Sequence, residues 1–202
     1  MSRTAILLSA RNVGWMMNKV IFGFDPGTTY TGFVVTEVHG NELKVVTAMD
    51  IENIALYEVL KSEILNYRHI GLDIEWVLEY MQSYGMRVGE STFMTCVWIG
   101  EIRRQAKDNN IPCYFYTRPD WAPHMTGCNN KKDKDVEIAL RMRYGDAAFQ
   151  KGTKGSKKVP GKVAGKYSLL SSSHKRSAFG VIFYHWDMGS AANNKNIEAK
   201  ND

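Results

Sequence analysis

The sequence has few cysteines and no long apolar run. Its three cysteines, Cys96, Cys113 and Cys128, are odd in number and show no ligand-like C-x-x-C pairing, which predicts reduced thiols in an intracellular protein. No run of about 18 apolar residues occurs, so we expect no membrane-spanning helix. Acidic residues are in the minority, with 21 against 26 lysines and arginines. The resulting net charge of +5 favours an anionic partner if the positive charge is clustered.

The length suits one globular domain. A chain of 202 residues with 44% hydrophobic side chains is expected to bury roughly 70% of its extended-chain surface. We predict an N-terminal extension over residues 1–17, a folded domain over 18–189 and a disordered tail over 190–202. The first 16 residues contain Arg3 and Arg11 but no acid, and they faintly resemble a transit peptide. A frayed extension is the simpler interpretation.

The order of patterned segments predicts the fold class. Five runs are typical of β-strands, namely 20–25, 31–38, 43–49, 72–81 and 111–117, although the composition of 72–81 also suits a helix. Four stretches have helical spacing, namely 53–67, a segment from Ser91 or Thr92 to about 107, one from Asp133 or Lys134 to Gly145, and one from about Ser172 to Trp186. We expect residues 118–132 to form a loop. The first three strands predict an antiparallel meander, and the alternation that follows predicts an α/β protein with a mixed sheet and helices on its faces.

The most informative segment begins with an apolar strand that delivers Asp25 to a Pro26-Gly27 turn. Asp-Pro-Gly alone is simply a good turn, because aspartate bonds its own backbone and Pro-Gly sets the dihedral angles. A metal-binding role for Asp25 therefore requires partners elsewhere. The carboxyl ends of the first and fourth strands are where such a site would form.

Two other segments offer partners for Asp25. Asp73, Glu75 and Glu79 share one face of the fourth strand, although solvated surface acids explain many such rows. In the last predicted helix, His174 and Ser177 lie one turn apart on one stripe. Imidazole is a good ligand for transition-type ions, and carboxylates suit magnesium or manganese.

Lysines dominate the segment before the last helix, which carries no acid between residues 151 and 166. Its six lysines are Lys151, Lys154, Lys157, Lys158, Lys162 and Lys166. Solvated charge is the ordinary meaning of such a run, but its place beside the candidate site also predicts contact with a nucleic-acid backbone. Further basic residues that would extend the patch are Arg103, Arg104, Arg118, Lys131, Lys132, Arg141 and Arg143.

Four segments, in order, resemble the RuvC-like Holliday junction resolvases of the ribonuclease H-like superfamily, and most closely their phage and prophage members. The likeness extends from Lys19 to about Trp186. The segments begin at Phe24-Asp25-Pro26-Gly27, Glu79-Tyr80-Met81-Gln82, Lys132-Asp133-Lys134-Asp135 and His174-Lys175-Arg176-Ser177.

The resemblance implies a ribonuclease H-like mixed sheet of five strands and a metal-dependent endonuclease that hydrolyses branched DNA. It implies Asp25, Glu79 and His174 as catalytic metal ligands, with two Mg²⁺ or Mn²⁺ ions. It also implies a homodimer with no nucleotide cofactor, located in the cytoplasm, of a bacterial host if the gene belongs to a phage.

One departure from the family pattern opens an alternative. Where many resolvases place another aspartate one turn along the helix, this chain has Ser177, which coordinates a cation only weakly or through water. A catalytically weak module that binds junctions is therefore the alternative function. The Asp-x-Gly-Thr-Thr-Tyr turn also resembles the phosphate-binding loop of actin-like ATPases, but this chain has no room for their second lobe.

Overall fold

The computed structural model describes residues 17–81, 88–129, 132–153 and 164–198, and their side chains from residue 19 to residue 189. The strands are β1 (Met17–Pro26), β2 (Tyr30–His39), β3 (Glu42–Glu52), β4 (Asp73–Tyr80) and β5 (Cys113–Thr117). The helices are α1 (Leu56–His69), α2 (Glu90–Asp108), α3 (Arg118–Thr126), α4 (Asp133–Tyr144) and α5 (Ser173–Glu198). Short 3₁₀ turns occupy Asn53–Ala55 and Asp146–Phe149.

The five strands form one mixed sheet in the order β3-β2-β1-β4-β5. The first three strands pair antiparallel, as the sequence predicts, and β4 and β5 run parallel to β1. The predicted α/β class and five-stranded mixed sheet are confirmed. The carboxyl ends of β1, β4 and β5 therefore meet at one edge of the sheet.

Helices cover both faces because the inner strands are apolar on both faces. Val20, Phe22 and Phe24 of β1 pack toward α1 and α2, whereas Ile21 packs in the cluster formed with α3, α4 and α5. The alternation of successive side chains across the sheet explains this division. Asp25 has the parity of Ile21, so it projects toward α5.

Helix α3 corrects the prediction of a loop over 118–132. Its two prolines and lack of a clear apolar stripe hide it in the sequence. Pro119 lies in the first turn, where a missing N–H is harmless. Thr117 and Asp120 form a capping box, with the backbone N–H of Thr117 donating to Asp120 Oδ2 at 2.7 Å.

Several element boundaries also differ from the predictions. Strand β1 begins at Met17, within the predicted extension, and residues 1–16 lie outside the described part. Helix α2 begins at Glu90 with Gly89 as N-cap, instead of Ser91 or Thr92. Helix α5 continues to Glu198, beyond the predicted end near residue 186, and a glycine such as Gly189 costs a helix only about 1 kcal/mol. The disordered tail over 190–202 stays a prediction. No helix among the described residues has the length and apolar character needed to cross a membrane.

Candidate metal centre

Asp25 and Glu79 lie side by side on neighbouring strands. The parallel register pairs Phe24 with Leu78, so the two acids follow at equivalent positions on strands about 4.8 Å apart. Both project toward α5. The Asp25 side chain is 17% exposed and the Glu79 side chain 13% exposed. The sheet therefore concentrates two nearly buried carboxylates at one point.

Glycines allow α5 to approach this point closely. A Cβ atom on Gly32 would lie 2.6 Å from the backbone carbonyl of His174, and one on Gly23 would lie 2.3 Å from the carbonyl oxygen of Ala178. No side chain fits in such space. The first turns of α5 consequently rest directly on β1 and β2, and Nδ1 of His174 lies 2.8 Å from Oδ2 of Asp25.

The turn after Asp25 is held by Asn53, a residue that belongs to none of the sequence motifs. Asn53 is 4% exposed, and its Nδ2 donates to the carbonyl oxygens of Gly27 at 3.0 Å and Thr28 at 3.2 Å. Its Oδ1 accepts from the Thr31 hydroxyl at 2.6 Å. These bonds fix the backbone that carries Asp25, although no sequence pattern links Asn53 to the turn.

Burial raises the pKa of both acids. For Asp25, loss of hydration outweighs the hydrogen bond with His174 and the positive charge of Arg118, so its pKa lies above the ordinary value. For Glu79, burial and the neighbouring Asp25 charge raise the pKa to about 8, against the opposing charge of Arg118. The hydrogen bond to Asp25 raises the pKa of His174. The site therefore favours bound protons or a cation.

Two further charged residues complete the site. Nη1 of Arg118 lies 3.6 Å from Oε1 of Glu79 and donates to the Ser177 hydroxyl at 3.1 Å. The other terminal nitrogen, Nη2, donates to Asp133. The sequence predicts Arg118 only as part of a basic patch, and Asp133 only as the start of a helix and part of a segment that resembles the family. Arg118 is the first residue of α3 and Asp133 the first residue of α4, so each lies at the site because a helix begins there.

The donors suit one divalent cation. Glu79 Oε2 is buried and has no hydrogen-bond partner among the described residues, which is the condition of a carboxylate oxygen suited to a cation. Asp25 adds a second carboxylate and His174 an imidazole, a combination that Mn²⁺ or Mg²⁺ accepts. No group of three or more His, Cys, Asp or Glu side chains in the described ranges is already arranged as a metal site.

Comparison with known proteins bears on the fold of the chain, although no protein-family model matches it. The crossover junction endodeoxyribonuclease RuvC of Pseudothermotoga lettingae is 28% identical over an alignment of 137 residues, covering 61% of this chain and 78% of that protein. The chain is RuvC-like. The structure of T. thermophilus RuvC in complex with Holliday junction substrate has a TM-score of 0.57 at 16% identity and covers 83% of this chain and 93% of that one.

A second Thermus thermophilus RuvC structure has a TM-score of 0.54 at 18% identity, covering 84% of this RuvC-like chain and 96% of that one. At these identities the two structures establish the shared fold. The predicted RuvC-like character and ribonuclease H-like fold are thus confirmed, while a phage origin stays a prediction.

The RuvC-like chain brings Asp25, Glu79 and His174 together as predicted, but Ser177 is 2% exposed and engaged by Arg118. The roles assigned to these four residues stay predictions. Three of the predicted DNA-binding lysines, Lys132, Lys151 and Lys166, are exposed, and Lys166 pairs with Glu42. The other predicted DNA-binding lysines lie outside the described residues, namely Lys131, Lys154, Lys157, Lys158 and Lys162.

Proposed function

We propose that this chain is a divalent-metal-dependent endonuclease that hydrolyses phosphodiesters in branched DNA, four-way junctions in particular. The observation that carries the proposal is the buried Oε2 atom of Glu79, which has no hydrogen-bond partner in the described part of the chain and lies beside Asp25 and His174. That arrangement lies at the strand edge of a RuvC-like fold. The RuvC relative named above is a crossover junction endodeoxyribonuclease, which supplies the substrate class.

The side chains divide the proposed reaction between them. A divalent ion held by Asp25, Glu79 and His174 would act as a Lewis acid on the phosphate and lower the pKa of a bound water. Asp25 and Glu79 concentrate negative charge in a desolvated site. His174 is 49% exposed, so the proposed ligand set is accessible to a DNA phosphate from the side of its ring.

A basic surface beside the site suits the DNA backbone. Lys151 lines a cavity of about 220 Å³ together with Arg141 and Arg176, and Glu137 in the same wall pairs with both arginines. The cavity lies at the end of the lysine-rich segment that precedes α5. We propose that this surface neutralises phosphates and contributes affinity that is independent of sequence.

We propose a homodimer that forms through α2. Phe93 and Val97 are 62% and 59% exposed, and their i, i+4 spacing places them on one face of the helix. Cys96 is exposed between them. Light scattering should give twice the chain mass and Val97→Glu should give the monomer mass; a monomeric wild type contradicts the proposal. A thiol crosslinker should join two chains through Cys96, with Cys96→Ser as the control.

Cleavage of a synthetic four-way junction tests the function directly. Purified protein with Mn²⁺ or Mg²⁺ should cut the junction, and Asp25→Asn should abolish cutting without unfolding the protein. Asp73→Asn is the matched control, because Asp73 is an exposed acid at the other end of β4. Cleavage by Asp25→Asn at the wild-type rate would overturn the proposal.

The contact between Ser177 and Arg118 favours one alternative, a module that binds junctions without cutting them. It predicts junction affinity that metal does not change, and no product with Mn²⁺ or Mg²⁺. The cytoplasmic location, the lack of a nucleotide cofactor and the phage origin stay predictions in either case.

A further inference from the structure

Arg118 is fixed in the metal centre by its place in the chain. It is the first residue of α3 and directly follows β5, which pairs with β4 next to Glu79. The capping box between Thr117 and Asp120 holds the backbone at this point. The guanidinium is therefore attached to a rigid junction between a strand and a helix.

The side chain of Arg118 is held on several sides. Its Nη1 lies 3.1 Å from Ser177 Oγ and 3.6 Å from Glu79 Oε1, and its Nη2 donates to Asp133. Its guanidinium carbon lies 5.1 Å from the centroid of the Trp121 ring, and Trp121 is fully buried. A flexible surface arginine has no such set of partners. The positive charge consequently has a defined position within the acid cluster.

The charges around Arg118 match one divalent ion. Asp25, Glu79 and Asp133 carry three negative charges when ionised, which one guanidinium and one divalent ion neutralise. A second divalent ion would leave two uncompensated positive charges beside the nearly buried carboxylates of Asp25 and Glu79, at an electrostatic cost. The position that would need a fourth carboxylate is occupied by Ser177, whose hydroxyl already accepts from Arg118.

We propose that Arg118 is a built-in cation that takes the place of a second divalent ion, so that each chain binds one ion. A guanidinium is charged at every relevant pH and presents fixed parallel donors that match the oxygens of a phosphate. In DNA cleavage, which rests on the proposed function, Arg118 would stabilise negative charge developing on the scissile phosphate. This replaces the two-ion prediction with a centre of one ion and one arginine.

Counting bound Mn²⁺ tests the proposal without DNA. Calorimetric titration with Mn²⁺ alone should give one site per chain for wild type. Ser177→Asp should also give one, because the new carboxylate pairs with Arg118. The double variant Arg118→Gln/Ser177→Asp should give two, since the charge is gone and a carboxylate is present. Two sites in wild type, no site in wild type, or one site in this double variant would overturn the proposal.

Matched variants separate charge from shape. Arg118→Lys/Ser177→Asp keeps the charge and should bind one ion; two ions there would contradict the proposal. Arg143→Ala/Ser177→Asp removes an exposed arginine that stacks on Phe183, and it should also bind one. The wild-type count decides the question even if a double variant fails to fold.

Cleavage gives an independent second measurement. If the chain cuts junctions, Arg118→Gln should cut about 10²–10³-fold more slowly at saturating Mn²⁺, and Arg118→Lys should restore part of the rate. Unchanged cutting by Arg118→Gln would overturn the role at the phosphate. Absence of cutting by wild type would overturn the proposed function but leave the ion count as it stands.

Discussion

Strand β4 carries two glutamates that face α5, four residues apart, and the two have opposite environments. Glu75 is fully paired: its Oε2 accepts from Nε2 of His185 at 3.1 Å, and its Oε1 accepts from Nζ of Lys19 at 2.9 Å. The Tyr116 hydroxyl donates to Nδ1 of the same histidine at 2.8 Å. Burial opposes ionisation of Glu75, but the hydrogen bonds from His185 and Lys19 outweigh it and lower its pKa.

Glu79 has the same parity, a similar degree of burial and a histidine of α5 nearby, yet its Oε2 has no partner among the described residues. Its pKa rises to about 8. An acid thus lies near a histidine at two places where β4 and α5 cross. At Glu75 both carboxylate oxygens have hydrogen-bond partners, whereas at Glu79 one oxygen has none among the described residues. An unsatisfied acid, rather than an acid–histidine pair as such, therefore distinguishes the end of this crossing that we propose to be functional.

The largest expected effect is on cleavage. Glu79→Gln should slow junction cutting by about 10³-fold, equivalent to about 4 kcal/mol of transition-state stabilisation, because it removes a proposed metal ligand. Glu75→Gln should stay within about threefold of wild type. Single-turnover cleavage with Mn²⁺ measures both rates. Equal losses in the two variants would show that the two glutamates do not differ in function.

Substitution of Glu79 and of Glu75 by glutamine should change the free energy of unfolding in opposite directions. The folded-state pKa of Glu79 is about 8 against an ordinary value of 4.5, so the contribution of this carboxyl group to stability is fully present below about pH 4.5 and is lost as pH rises through 8. Without metal at pH 8.5, Glu79→Gln should therefore raise the free energy of unfolding by about 3 kcal/mol. Glu75→Gln should lower it by about 1 kcal/mol, since it loses charged partners.

Denaturant unfolding in the presence of a chelator measures these changes, and the advantage of Glu79→Gln should disappear near pH 4. A destabilised Glu79→Gln protein at pH 8.5 would mean that the carboxylate is satisfied after all.

Gly32 lies where α5 packs against the sheet, so a substitution there tests how far the candidate site depends on this packing. Gly32→Ala should destabilise the fold by about 2 kcal/mol, because the added Cβ would overlap the backbone of His174. It should also slow cleavage, since it displaces His174 from Asp25. Gly189→Ala on α5 is the control: nothing lies within 4 Å of its Cβ, so it should stabilise the helix by up to about 1 kcal/mol. Equal effects of the two substitutions on unfolding would contradict this account of docking.

The periodicity of the sequence was enough to predict the strands and the side chains that share one face of a strand or helix. The alternation in β4 places Glu79 on the face of Glu75, and the stripe in α5 places His174 beside Ser177. What alternation does not encode is which of two equivalent glutamates finds partners, because Lys19 and His185 reach Glu75 only through tertiary packing.

The contacts of Arg118 and Asn53 could not be predicted from the sequence for a related reason. Arg118 begins a short helix with two prolines, and its partners Ser177 and Asp133 are 59 and 15 residues away. Asn53 reaches the Asp25 turn across 25 and 26 residues. Neither contact has a periodicity, so only the assembled sheet and helices show them.

The smallest expected effect is the pH dependence of metal binding. Mn²⁺ must displace the proton that Glu79 holds with a pKa of about 8, so the association constant should rise as pH increases toward and through that value. From the Glu79 proton alone, the increase between pH 7 and 8.5 is about eightfold. Calorimetric titration at the two pH values measures it, and buffers of different ionisation enthalpy measure the proton released. Glu75→Gln should leave the increase unchanged, whereas a flat profile in wild type would show that Glu79 is ionised before the metal arrives.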